Sequence, residues 1–270
     1  MLRLSIWLKG LIPKRIRFRI RCIVYDLRAV LYAGSEVFCP WCDRHFRRFV
    51  QYGPYHGPNL NTLCPKCGGF ERHRLQWLYF KNKTRLFEDR FSVLHLGPEY
   101  GPSKKLRSMA NLDYVSADLD SPLAMVHMDI TRMPYPDDSF DVILCNHVLE
   151  HIKDDLKAMA ELYRVLLRGG WAMILVPLDK NRNETLEDPA ITSPQDRERY
   201  YLQADHVRLY GRDFIQRLRN EGFEVEVNTY AAGLDPGTIK LFGINSEEEL
   251  YICKKVREEG SLIRSRPSDS

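Results

Sequence analysis

A chain of 270 residues, 44% of them hydrophobic, can bury one full-sized core and still carry a small appended module. A net charge of +4 is too slight for a polyanion-coating surface, and seven cysteines, four of them in two Cys-x-x-Cys pairs, argue for metal binding in a reducing compartment and against a disulfide framework. The apolar start of the chain is broken by Lys9, Lys14 and Arg15 short of signal-peptide length, and no later run reaches the roughly 20 apolar residues of a membrane span, so a cytoplasmic protein is expected.

The positive charge belongs to residues 1–36, which hold Arg3, Lys9, Lys14, Arg15, Arg17, Arg19, Arg21 and Arg28 against Asp26 and Glu36. That segment carries +6 and the remainder −2. Between Pro13 and Tyr32 the residues Ile16, Ile20, Ile23, Leu27, Val30 and Leu31 recur at three- and four-residue steps behind a proline suited to a helix start, which predicts a basic amphipathic helix. Residues 15–21 also alternate arginine with apolar side chains, the period of a short strand. The helix is expected to lie on the main domain with its arginines in solvent; docking on anionic lipid or on RNA is the alternative.

Residues 37–75 form a second unit, poor in apolar runs, with Cys39-Pro-Trp-Cys42 and Cys64-Pro-Lys-Cys67 flanking a Gly/Pro/Asn-rich insert at 53–61. Two such knuckles, 22 residues apart from Cys42 to Cys64, offer four thiolates to one tetrahedral Zn²⁺. Such a closed site is structural, since no coordination position remains for water or substrate. His45 is read as a bystander. Arg72, His73 and Arg74 either bind an anionic group or pack at the junction with the next unit.

From residue 76 to 257 apolar strands alternate with helical segments, the pattern of an α/β, Rossmann-like, mostly parallel sheet covered by helices on both faces. Ser92-Val-Leu-His-Leu-Gly-Pro-Glu-Tyr-Gly101 reads as a strand entering a glycine turn, with a helix starting near Ser103 or Lys104. Asp118, 17 residues after Gly101, ends a second strand where a carboxylate can accept ribose hydroxyls. A third element, Val126-His-Met-Asp129-Ile130, leads into Met133-Pro-Tyr-Pro-Asp-Asp-Ser-Phe-Asp-Val-Ile-Leu-Cys-Asn-His-Val-Leu-Glu-His151. Residues 258–270 read as a disordered tail.

These motifs, with Gly169-Gly-Trp-Ala-Met-Ile-Leu-Val-Pro177 as a fifth strand, resemble the class I S-adenosylmethionine-dependent methyltransferases of the type-11 group over roughly residues 90–230. The cysteine module followed by Glu71-Arg-His-Arg74 resembles a subgroup with an N-terminal zinc ribbon. The resemblance implies that the turn from Gly97 to Gly101 meets the methionine and ribose parts of the cofactor. It places Asp118 at the ribose, Asp129 with Ile130 at the adenine edge, and Asn146 and His147 at the strand end facing the methyl group. Members usually open the first motif with an acid and carry glycine at its middle. Here His95 and Glu99 stand in those places, and both are assigned to the cofactor, Glu99 supplying the missing carboxylate to its amino group. The alternative is a closed loop and an inactive domain.

Methyl transfer is an in-line displacement that depends on positioning, with a general base where the acceptor bears a proton. His147 and His206 are the candidate bases, ahead of His151. Asp205-His-Val-Arg-Leu-Tyr-Gly211 resembles a segment bordering the acceptor pocket in related methyltransferases, so Arg208 and Tyr210 join the substrate-side candidates. The polar stretch 179–203 is long enough to serve as a lid. The favoured acceptor is a small molecule, a glycan or a lipid-linked intermediate, with the basic N-terminus touching a membrane. An RNA or protein methyltransferase, and a non-catalytic binding protein of the same fold, are the competing readings.

Overall fold

The computed structural model describes residues 13–51 and 63–256. The expected tail and the 53–61 insert lie outside the described residues. The first helix, α1 (Lys14–Leu31), starts behind Pro13 as expected, and the alternating arginines lie within it and not in a strand. Its orientation reverses expectation. Phe18, Tyr25 and Ala29 face the protein: Phe18 meets Tyr100 edge-on at 5.4 Å, Tyr25 stacks on Tyr100 at 6.4 Å, and Ala29 is buried. The predicted apolar stripe points to solvent instead, with Ile23 59%, Leu27 62% and Val30 76% exposed.

A two-stranded antiparallel hairpin of β1 (Ala33–Cys39) and β2 (Arg44–Phe46) carries the first Cys-x-x-Cys pair in its turn. The second pair precedes α2 (Glu71–Lys83). Both expected unit boundaries, at 36/37 and 75/76, therefore fall inside an element, β1 and α2 respectively. Alternation then proceeds through β3 (Phe91–Leu96), α3 (Tyr100–Arg107), β4 (Leu112–Asp118), β5 (Val126–His127), β6 (Phe140–Asn146), α4 (Asp155–Val165) and β7 (Leu166–Leu175). The chain closes with α5 (Pro194–Tyr201), α6 (Phe214–Asn220), β8 (Glu224–Asn228), α7 (Pro236–Phe242) and β9 (Leu250–Lys254). Helix α3 begins at Tyr100, three residues before the predicted start.

The seven strands run in the order β5-β4-β3-β6-β7-β9-β8. The first five are parallel, and β9 is antiparallel to both its neighbours. Strands β3 and β6 read as nearly unbroken apolar runs because both faces are covered; Val93, Leu94, Val142 and Ile143 have no exposed surface. From β3 the chain first builds outward through β4 and β5, then returns to the other side of β3 with β6. That reversal opens a crevice beyond the carboxyl ends of β3 and β6, where doubly wound sheets bind ligands.

The cysteine module closes over one side of this crevice. Cys67 packs so tightly on Gly101 that a Cβ there would lie 2.8 Å from its Sγ. The Trp41 indole donates to the His73 carbonyl at 2.6 Å and meets Trp77 edge-on at 5.0 Å. Arg74, fully buried, donates to the carbonyls of Gly69, Phe242 and Gly243 and lies 3.6 Å over the Phe49 ring, which fastens the module to α7. Since Cys67 is backed by the cluster and cannot yield, Gly101→Ala is expected to cost about 1–3 kcal/mol through overpacking, read as a lowered urea midpoint at unchanged slope.

Candidate active site

Strand β3 delivers the chain into a left-handed turn at Gly97, φ +58°, where a Cβ would sit 2.8 Å from Val148 Cγ2. Only glycine meets both constraints, which leaves a bare Cα at the mouth of the crevice. Two residues on, the Glu99 carboxylate is gripped from both sides. His73 Nε2 lies 2.9 Å from Oε1 and His95 Nε2 3.0 Å from Oε2. The Phe70 amide donates to His73 Nδ1 at 3.0 Å, so the His73 proton is on Nε2 and points at Glu99. Burial pushes His73 below the ordinary imidazole range, consistent with that neutral tautomer. Burial would raise the Glu99 pKa, but the two histidines outweigh it and hold the carboxyl well below its usual range.

This corrects three assignments. His95 has both ring nitrogens engaged, the second by the Tyr114 hydroxyl at 2.8 Å, and it positions Glu99 without facing a ligand. Glu99 serves first as a bridge between the cysteine module and the sheet. Gly101, in the first turn of α3, packs against Cys67.

The remaining strand-end residues converge. Asp118 Oδ1 accepts from the Asp120 and Ser121 amides at 2.9 and 2.8 Å, which fixes its carboxylate at the tip of β4. Asp129 Oδ1 accepts the Thr131 amide and hydroxyl at 2.8 and 2.9 Å, bonds that keep it below the usual carboxylate range, while the adjoining Ile130 is buried. Asn146, at the end of β6, is buried with Oδ1 unpartnered, and its Nδ2 is 3.5 Å from Gln76 Oε1. Gln76 Nε2, Arg72 Nε and Glu71 Oε2 are likewise buried without hydrogen-bond partners. Such atoms are rare in a finished core and mark a polar site. Sequence reasoning missed Gln76 and Glu71; the only signal at 76 was a polar residue between Leu75 and Trp77. His147 is a non-glycine residue in the left-handed region, φ +54°, and burial, with Arg72 second, depresses its pKa.

The other substrate-side candidates are buried and make contacts within the protein. Arg208 and Tyr210 have no exposed surface: the guanidinium pairs with Glu187 at 2.6 Å, and the Tyr210 hydroxyl donates to Asp155 at 2.7 Å. His206 is also buried, its Nδ1 2.8 Å from the Tyr201 carbonyl. The stretch 179–203 is pinned to the segment that follows it by bridges Leu178–Tyr210 and Leu186–Leu209 and by fully buried Tyr201.

All four knuckle sulfurs fall within 4.8 Å of one another, with Cys39–Cys67 and Cys42–Cys64 Sγ separations of 3.6 Å. Sulfurs about 2.3 Å from a central zinc stand about 3.8 Å apart, so the cluster fits a tetrahedral ion, whereas a disulfide requires about 2.05 Å.

The depressed His73 pKa has a stability consequence. Below about pH 6.5 the unfolded chain takes up the His73 proton while the folded chain does not, so stability falls as pH drops through that value. His73→Gln is expected to flatten the fall in thermal midpoint between pH 7 and pH 5, measured by calorimetry at each pH.

Residues 100–174, from α3 through β7, match a family described as a methyltransferase domain. The ubiquinone/menaquinone biosynthesis C-methyltransferase of Pasteurella multocida is 28% identical over 166 residues, 56% of this chain and 55% of its own length. The corresponding Francisella tularensis protein is 26% identical over 196 residues, 67% of this chain and 73% of its own. The chain thus spans little more than half the length of the Pasteurella relative. A methyltransferase structure from Archaeoglobus fulgidus superposes with a TM-score of 0.45 at 14% identity, covering 70% of this chain and 96% of that one. Over residues 100–174 the chain thus matches a methyltransferase-domain family, and the two sequence relatives are methyltransferases.

Proposed function

We propose that the protein transfers a methyl group from S-adenosylmethionine to a small-molecule acceptor, a glycan or lipid-linked intermediate included. The observation that carries this reading is the set of buried, unpartnered polar atoms on α2 and at the end of β6, together with a glycine after β3 that leaves its Cα bare. Bound there, the cofactor supplies an electrophilic methyl carbon on a sulfonium. Asp118 would accept the ribose hydroxyls with its outer oxygen, and Asp129 with Ile130 would border the adenine. Asn146 and Gln76 offer an acceptor and a donor toward the amino-acid end. Arg72 is the natural countercharge for the carboxylate, since Glu99 is already held by two histidines.

His147, neutral at pH 7 by its depressed pKa, would take the acceptor's proton. His206 turns its buried Nε2 inward, so His147 is the base the crevice favours. A structural zinc in the cysteine cluster would hold α2, and with it Arg72 and Gln76, over the crevice. Relatives named for ubiquinone and menaquinone biosynthesis support a small-molecule acceptor over RNA or protein.

Calorimetric titration of S-adenosylmethionine into the zinc-loaded protein should show saturable binding. Asp118→Ala and Arg72→Ala should each weaken it roughly 10- to 100-fold, the loss of a charge-assisted hydrogen bond. No binding to folded wild type would end the enzyme reading.

The outward stripe on α1, flanked by Arg17, Arg19 and Arg21, suits the surface of an anionic bilayer, with apolar side chains entering the interface and arginines meeting phosphates. Co-sedimentation with phosphatidylserine-containing vesicles is expected, weakened by salt and lost in Leu27→Glu/Val30→Glu. Tighter binding to RNA than to vesicles would reverse this choice of partner.

A further inference from the structure

The turn after β6 places a second group of ligand-type side chains together, apart from the cysteines. One donor atom from each of Glu150, His151 and His206 lies within 4.8 Å of the others. Glu150 and His206 are each 1% exposed. Neither Glu150 carboxylate oxygen has a hydrogen-bond partner, and neither does His206 Nε2. The nearest group to Glu150 Oε1 is His147 Nδ1, 3.3 Å away. A buried carboxylate with no hydrogen bond to either oxygen, only His147 at 3.3 Å, beside a buried imidazole nitrogen that also lacks one, is suited to hold a cation.

The surroundings prepare the histidines as ligands. A carbonyl oxygen can only accept, so the contact of His206 Nδ1 with the Tyr201 carbonyl at 2.8 Å puts the proton on Nδ1 and leaves the Nε2 lone pair facing the cluster. His151 Nδ1 lies 3.3 Å from the Asp205 carbonyl, which disposes its ring the same way. The two backbone segments are clamped together: the Val207 amide donates to the Glu150 carbonyl at 2.9 Å, and Arg208 donates to the carbonyls of Leu149, Ile152 and Lys153. The ligands are thus held in place by backbone contacts that need no ion.

We propose that Glu150, His151 and His206 bind a divalent transition-metal cation, distinct from the ion of the cysteine cluster. Two imidazoles and one carboxylate suit zinc, iron, cobalt or manganese better than magnesium or calcium. Three protein ligands leave coordination positions open. Because Glu150 follows the end of β6 by four residues, those positions lie on the acceptor side of the crevice, where an acceptor oxygen could complete the shell. Binding of the ion does not rest on the methyl-transfer reading; its use there does.

The test is a titration of Co²⁺ into the full-length, zinc-saturated protein, followed by calorimetry and visible absorption. The expected result is one cobalt bound with weak visible bands and without the intense near-ultraviolet band of cobalt thiolate, which would signal exchange into the cysteine cluster. Glu150→Gln and His206→Asn should each weaken binding by at least about tenfold. His151→Gln alters a partly exposed side chain and guards against misfolding; it should do the same with an unchanged circular dichroism spectrum. No cobalt bound outside the cysteine cluster, or wild-type affinity retained in both His151→Gln and Glu150→Gln, would overturn the proposal. S-adenosylmethionine titrated into the same sample separates the two readings, since cobalt binding without cofactor binding removes only the methyl-transfer one.

Discussion

Glu99 joins the two parts of the molecule through its two carboxylate oxygens. One accepts a hydrogen bond from His73 on the helix that leaves the cysteine module, the other from His95 inside the central sheet. Neither histidine needs a positive charge for this; a carboxylate between two neutral donors is stabilised by hydrogen bonding in a partly buried site. The bridge fixes α2 in register over the carboxyl ends of β3 and β6. Arg72 and Gln76, one residue before and three after His73, acquire their places in the crevice from it.

Arg74 shows how the junction tolerates a fully buried cation. Burial lowers its pKa, opposed by the negative charge of Cys39, Glu71, Cys64 and Cys67 nearby. Three carbonyls occupy its donors, and Phe49 covers its face. The cysteine cluster and the guanidinium therefore stabilise each other electrostatically, and the module acts as part of the α/β core more than as an attachment.

Much of the fold was legible because β3, β4 and β6 are largely apolar strands that lead into glycine, aspartate or asparagine, and β7 is an apolar run that stops short of Pro177. The glycine turn, the second-strand acid and the two knuckles could be read from spacing. What could not be read was which of two apolar faces of α1 would be covered. Phe18, Cys22, Tyr25 and Ala29 are two residues out of step with Ile16, Ile20, Ile23 and Leu27, hence on the opposite side of the helix. The choice is made by Tyr100, far along the chain. Nor does sequence distinguish a ligand-binding arginine from one like Arg208, whose partner Glu187 is brought to it by the pinned loop. His95 and Glu99 were recognised as departures from pattern, but their meaning lay in His73, which belongs to a different unit.

The position of β9 governs how the sheet is finished. It lies between β7 and β8, antiparallel to both, so β8 has no strand beside it until β9 arrives. On the ribosome, everything through β7 can pair as it emerges, but β8 must wait unpaired while a further 22 residues, Thr229–Leu250, are synthesised. Until then the growing chain presents the open edge of β7, with buried-type residues Ala172, Met173 and Ile174 uncovered on a strand able to pair with another chain. Premature stops in this interval would leave that edge uncovered and the truncated chain prone to aggregation.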